Sequence, residues 1–410
     1  MELKYWKKLS HKEQDKKITD ALKRNINYQD FIPLGVPVSK LDPHVFYEQA
    51  SFLTEAPLLR TYIMNPNHIG CHTMGESEPF FAGTQALEHE IVELLCVDIF
   101  KAEENTCDGY IATGGTEANI QAAWIYRNYF MDQYNANITE IALLSSADTH
   151  YSVAKAANLL NLQSVIVDVD DDTRMINERS LDKKTKEAID SGIKFFIVFS
   201  NMATTMFGSV DNPDLYAEYL SKHDVTFKIH VDGAFGGFIY PLSNPDNNVN
   251  FSNPNVSSIT LDAHKMLQAP YGTGIFIARK GLMQYACTKE AAYVNGTDNT
   301  LCGSRSGANA VAVWMILFTY GPYGWFEKIN KLLYRTTWLC KQLDYHNFGY
   351  YRHPYLNIVT IRAKHIPAEI ASKYGLVPDT HTGESKWYKI VVMDHVEIQL
   401  LKLFLKELEQ

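Results

Sequence analysis

Cysteine is scarce in this chain and never closely paired. Six cysteines stand at 71, 96, 107, 287, 302 and 340, and no CxxC spacing occurs. Neither a zinc knuckle nor a disulfide scaffold is indicated. A 410-residue chain buries a large core without such staples, so reduced thiols in a cytosol are expected. Long apolar runs are also missing. Stretches such as FFIVFS at 195–200 fall far short of the ~20 residues that span a bilayer. The N-terminal MELKYWKKLSHKEQDKK has no apolar segment like a signal peptide. A broad basic excess is absent too. The formal net charge is -9, which argues against a nucleic-acid partner. The cluster Lys7, Lys8, Lys12, Lys16 and Lys17 reads as a solvated helix face or a mobile terminus.

What is present is an alternating α/β pattern. TQALEHEIVELLCVDIF, from 84 to 100, carries Leu87, Ile91, Leu94, Leu95 and Ile99 on one helical face. Short apolar runs follow at 109–113, 141–145, 164–169, 195–200, 226–232, 257–262 and 274–278, mostly separated by helical or mixed segments. Strands alternating with helices predict a mostly parallel sheet covered on both faces. Beyond about 305 the pattern changes. Long helices over 307–345, punctuated at Gly321-Pro322, lead to strands at 355–361 and 387–393 and a last helix from 394. The expected organisation is an N-terminal helical segment (1–60), a large domain (61–305) and a smaller C-terminal α/β domain (306–410).

Candidate chemistry lies where predicted strands end. DAHK at 262–265 puts Lys265 just after a buried strand, where an ammonium is expensive to bury. Such a lysine either reaches a carboxylate or water, or has a lowered pKa and forms a Schiff base. HVDGAFGG at 230–237 ends a strand on Asp232, which either caps a turn or holds a pyridinium nitrogen protonated. Ala234 is small enough to let a flat ring pack against the strand. ATGGTEAN at 112–119 opens a helix with Gly114, Gly115 and Thr116. It is an ordinary capped glycine turn or a phosphate site at a helix N-terminus, and it matches no nucleotide fingerprint. His150 in DTHYSVAKAA starts a helix, where an imidazole caps locally or stacks on a ring and moves a proton. Thr204 and Thr205 in SNMATTMFG follow another strand. Arg305 in GSRSG either forms an ion pair or clamps a carboxylate.

Together ATGGTEAN, DTHYSVAKAA, HVDGAFGG, DAHKMLQAPYGTG and GSRSG resemble the group II pyridoxal 5′-phosphate (PLP)-dependent decarboxylases. These have the aspartate-aminotransferase-like fold, fold type I. The resemblance runs from about residue 65 to the C-terminus. It implies PLP held by Lys265 as an internal aldimine, with Asp232 on the pyridine nitrogen and His150 stacked on the ring. It places Gly115, Thr116, Thr204 and His264 near the cofactor and Arg305 near the substrate carboxylate. A homodimer with its active sites at the interface is implied as well, and the reduced thiols fit a cytoplasmic location. The implied reaction is decarboxylation of an L-amino acid. The same motifs also occur in sphingosine-phosphate lyases, the fold also serves aminotransferases, and a non-catalytic binding protein would not require these residues.

Two departures from the family pattern stand out. Ala203 precedes the threonines where a glycine is common, and Gly233 follows Asp232 where alanine is common. The stretch between Lys265 and Arg305 is short, and it contains Tyr293 as a candidate substrate contact or proton donor. Further substrate contacts are expected from YIMNPNHIGCHTMGESEPFFAG at 62–83, with Asn67, His68, His72, Phe80 and Phe81 as candidates.

Overall fold

The structure is a computed structural model that describes residues 82–286 and 297–409, together with positions 12, 34, 35, 44, 70 and 71. Seven strands form the central sheet: β1 (Cys107–Ala112), β2 (Ile141–Ser146), β3 (Gln163–Val167), β4 (Phe195–Asn201), β5 (Thr226–Asp232), β6 (Val256–Asp262) and β7 (Gly274–Arg279). Their spatial order is β1-β7-β6-β5-β4-β2-β3. Only β7 runs against its neighbours. All seven apolar runs expected as strands are strands. β1, β2, β4, β6 and β7 are buried along almost their whole length, as a sheet covered on both faces requires.

Helices α1 (Ala82–Leu94), α2 (Gly115–Tyr134), α3 (Tyr151–Leu160), α4 (Glu178–Asp190) and α5 (Pro213–Ser221) cover the sheet. Ala118, Ala122, Ile125, Tyr126 and Phe130 of α2 pack on one face with Ile197 and Phe276. On the other side, Ile91 and Leu95 join Ile259, Ile275 and Ile316. The long α6 (Gly307–Tyr345) changes direction at Gly321, which has φ 57°, with Pro322 behind it. This is the break expected from the Gly-Pro pair.

A second, antiparallel sheet follows: β8 (Tyr350–Tyr351), β9 (Ile358–Arg362), β10 (Val377–Pro378) and β11 (Trp387–Val391), in the order β8-β9-β11-β10. The last helix, α7 (Ile398–Leu408), begins four residues later than expected. Its Leu401, Phe404 and Leu405 close a separate core over Val359, Ile361 and Ile390. Because β1, β2, β4, β5 and β6 point the same way, their C-terminal ends meet at one sheet edge. Open α/β sheets bind ligands at that edge.

Candidate active site

The floor of the cleft is the turn between β1 and α2. Thr113 donates its amide and hydroxyl to Glu117 Oε2, at 2.6 and 2.7 Å, while Tyr110 donates to Glu117 Oε1. This buried carboxylate fixes the turn. Gly115 is needed for space: a Cβ there would stand 2.9 Å from Asp262 Oδ2 and 3.2 Å from Ala234 Cβ. Its amide donates to Asp262 Oδ1 at 2.6 Å. First-turn amides of a helix have no intrahelical acceptor, and the dipole makes this end attractive to an anion.

Lys265 and Asp232 rise from neighbouring strand ends. Lys265 Nζ lies 3.0 Å from Asp262 Oδ2, and His264 Nε2 lies 3.7 Å from the same oxygen. Burial pushes the His264 pKa down, opposed by the Asp262 charge. Asp232 is 7% exposed. It accepts from Asn119 Nδ2 at 2.8 Å and from the Ala234 amide at 3.1 Å. His150 is the N-cap of α3. Its Nδ1 stands 2.9 Å from Ser152 Oγ and accepts from the Ser152 amide. Burial lowers the His150 pKa, with Asp232 acting the other way.

These residues line one cavity of about 530 Å³. Gly114, Gly115, Thr116, His150, Asp232, Ala234, His264 and Lys265 all border it. A second cavity of about 830 Å³ shares His150 and Tyr151 with the first. Its wall includes Arg174, Thr205, Met206, Phe207, Trp387 and Lys389. Lys389 is 6% exposed and donates to the Thr205 carbonyl at 2.9 Å. Burial, with Lys265 repelling it, lowers its pKa to about 8.

Other candidates lie elsewhere. Arg305 is turned into the interior. Its guanidinium pairs with buried Glu88 at 2.9 Å, donates to Thr300 Oγ1 and lies over the Tyr110 ring. Of the two readings of Arg305, the structure shows the ion pair, with the buried carboxylate of Glu88. Thr204 is buried, and its hydroxyl is engaged with Ser209, the local bonding typical of turn threonines. Asn67, His68, His72, Phe80, Phe81 and Tyr293 lie outside the described residues.

Sequence reasoning did not single out Asp262, Asn119, Ser152, His230 or Lys389. The first four stand inside or beside motifs already chosen. Lys389 carried its own signal, a charge within the apolar strand WYKIVVM.

The cavity suits a flat phosphorylated aldehyde. It has an amine at Lys265, a carboxylate at Asp232, an imidazole at His150 and an anion-attracting helix start at Gly114–Thr116. Gly115 lets the helix start pack closely against Asp262 and Ala234.

Comparison with known proteins agrees. Residues 27–349 match the pyridoxal-dependent decarboxylase conserved domain. The chain is 54% identical over 408 residues to a tryptophan decarboxylase of Clostridium sporogenes, covering 100% of this chain and 98% of that one. It is 30% identical over 341 residues to an L-aspartate/L-glutamate decarboxylase of Pyrococcus horikoshii, covering 80% and 83%. In fold it resembles L-methionine decarboxylase from Streptomyces sp. 590, with a TM-score of 0.78, 20% identity and coverage of 98% and 95%. A sphingosine-1-phosphate lyase of Burkholderia pseudomallei is equally similar in fold (TM-score 0.78) at 17% identity, covering 100% and 92%. The chain belongs to the pyridoxal-dependent decarboxylase family, and it is a PLP-dependent amino acid decarboxylase.

Proposed function

We propose that this enzyme decarboxylates an aromatic L-amino acid, with L-tryptophan the first candidate. The observation that carries the reading is whole-length identity of 54% to a tryptophan decarboxylase. The second cavity, beside the cofactor cleft, brings Met206 and Tyr151 together with charged side chains such as Arg174, Glu384 and Lys389, which offers both apolar and polar contacts to an amino acid.

In this reading Lys265 supplies the amine that holds PLP and later releases the product. The first-turn amides around Thr116 would hold the phosphate. Asp232 would accept from the ring nitrogen and keep it protonated, and His150 would lie against the ring. PLP, when bound, supplies the sink for the electrons left as CO2 departs. Asp262 keeps the Lys265 ammonium in place at 3.0 Å. Lys389 faces the neighbouring cavity with an ammonium that can take the substrate carboxylate. That pairing offsets its burial. A cytoplasmic homodimer belongs to the same reading, as does the division near residue 305 into a large cofactor-binding unit and a smaller C-terminal unit.

The direct test is to load the protein with PLP and incubate it with a panel of L-amino acids, following products by mass spectrometry. Tryptamine from tryptophan, absent with Lys265→Ala, is the expected result. An acidic amino acid as the preferred substrate would overturn the aromatic assignment. An aldehyde or keto acid in place of an amine would overturn the role given to the cleft.

A further inference from the structure

Behind the cofactor cleft lies a chain of buried polar groups centred on Asn119, which is 1% exposed. Its amide nitrogen stands 2.8 Å from Asp232 Oδ2 and 2.9 Å from Ser152 Oγ. Its amide oxygen lies 3.1 Å from His230 Nε2. The direction of every bond follows from the chemistry of the groups. An ionised carboxylate only accepts, so the Asn119 atom facing Asp232 is the NH2. The amide oxygen therefore faces His230. It too only accepts, so the proton of the neutral imidazole sits on Nε2. That N–H is shared with Thr260 Oγ1 at 3.0 Å. Nδ1 is then a lone pair, and it accepts from the Ser258 hydroxyl at 2.6 Å. Ser258 in turn accepts from the Tyr126 hydroxyl. Burial pushes the His230 pKa down to about 3, so the ring stays neutral near neutral pH.

A second branch reaches the other face of the cleft. Ser152 Oγ accepts from Asn119, which leaves its own proton for His150 Nδ1 at 2.9 Å. The Ser152 amide donates to the same Nδ1. Neutral His150 consequently carries its proton on Nε2, the nitrogen left for the cleft.

We infer that Asn119, oriented by His230, is a positioning residue that fixes Asp232 as an anionic acceptor and His150 as the Nε2–H tautomer. The inference rests on the reading that these two side chains flank the cofactor. It has a sharp corollary. Were Asp232 to carry a proton on Oδ2, the oxygen facing Asn119, the amide would turn over, NH2 would face His230, and the imidazole proton would move to Nδ1. The tautomer of a histidine behind the cleft therefore reports whether the Asp232 oxygen facing Asn119 accepts or donates.

Histidine side-chain 15N NMR on the full chain, with and without PLP, tests this directly. His230→Gln and His150→Gln spectra assign the two rings. Both histidines are expected as Nε2–H tautomers. In Asn119→Leu, which keeps the branched shape and removes both donors, His150 is expected to become a mixture of tautomers. PLP binding should weaken at least about tenfold, the scale of a lost hydrogen bond to a charged group. In an Asp232→Ala background the same substitution should change PLP affinity by no more than about twofold, because the two act as one unit.

An Nδ1–H tautomer at His230 in the unaltered protein overturns the inference, whether or not the Asn119 variant folds. Unchanged His150 tautomer and unchanged PLP affinity in Asn119→Leu overturn it as well. Failure of the unaltered protein to bind PLP would instead overturn the cofactor assignment of the cleft. The tautomers of the cofactor-free chain would still decide this inference.

Discussion

The two walls of the cleft are built on different principles. On the sheet side, Asp232 takes two donors, and the amide of Asn119 uses its nitrogen twice and its oxygen once. A network satisfied in this way holds its members in one geometry. On the opposite side, Lys389 brings three donor hydrogens to a buried position and gives one to the Thr205 carbonyl. The sheet wall is finished before any ligand arrives, as a cofactor held in one pose requires. The facing wall keeps donor capacity for a group that comes and goes.

The strongest break in this contrast falls on the sheet wall. Asp232→Asn keeps the shape and removes the charge proposed to keep the ring nitrogen protonated. Its decarboxylation rate is expected to fall roughly 10²-fold or more, the scale of losing one preorganised electrostatic partner. Steady-state CO2 release, measured at saturating PLP, checks this. A loss in KM alone, with kcat intact, would contradict the assignment, because the sink matters only as CO2 leaves.

The facing wall should behave in the opposite sense. Lys389→Met is expected to raise KM about tenfold or more, the cost of a lost charge-assisted contact, with a smaller effect on kcat. The pH dependence has a defined sign. Lys389 binds a carboxylate only as the ammonium, and its pKa is lowered to about 8. Its contribution is present below that pH and fades as pH rises through it, so kcat/KM should fall on the alkaline side. Lys389→Arg, which stays charged, should carry that limb to higher pH. An alkaline limb at the same pH in the arginine variant would assign it to another group.

Where the walls meet, a buried carboxylate links acid stability to the site. Asp211 accepts from the amide and side chain of Asn201, whose side chain also donates to Thr149 and Ser146. Burial raises the Asp211 pKa to about 6. The folded state thus keeps a proton that the unfolded chain has lost above pH ~4. Stability should decline as pH rises from ~4 to ~6, by about 3 kcal/mol from this group. Asp211→Asn should flatten that slope in urea melts, and an unchanged slope would remove Asp211 from the account. His230 has the reverse sign. Its pKa is lowered to about 3, so the unfolded chain alone takes the proton as pH falls below ~6.5, and stability drops toward acid.

The same contrast explains what was legible in the sequence. The sheet wall was readable because each of its parts directly follows an apolar strand, and parallel strands bring those ends together. Lys265, Asp232, His150 and Gly114–Thr116 were each ambiguous as single motifs, and their order along the chain singled them out as candidates. Asn119 and His230 sit within two of those motifs, yet their roles depend on which strands are neighbours. Register pairs Asp232 with Asn201 on one side and Thr260 on the other, and no local pattern encodes that. Lys389 arrives from the second sheet, so its meeting with Lys265 is a product of tertiary folding alone. The partner of Arg305 was hidden for a related reason. A glutamate on a helix reads as solvated, whereas Glu88 is 1% exposed and waits for the guanidinium inside the core.

The smallest expected effect concerns a departure already visible in the sequence. Ala203 stands where the resembled family commonly has glycine, and its φ is 74°. A side chain in this left-handed region costs roughly 1–2 kcal/mol, which glycine avoids. Glycine in turn adds roughly 0.4–1 kcal/mol of unfolded-state entropy to be lost on folding. Relief of strain is the larger of the two, so Ala203→Gly should stabilise the protein by about 0.5–1 kcal/mol. The turn is tied at both ends, because the Ala203 and Thr204 amides both donate to the Ser209 carbonyl. The gain should therefore come without movement of Thr205, whose carbonyl receives Lys389. The decisive comparison is a urea melt beside a KM measurement. Higher stability with unchanged KM would mean that the strain is a local cost of alanine. Higher stability with a raised KM would mean that the strained turn helps to set the substrate wall.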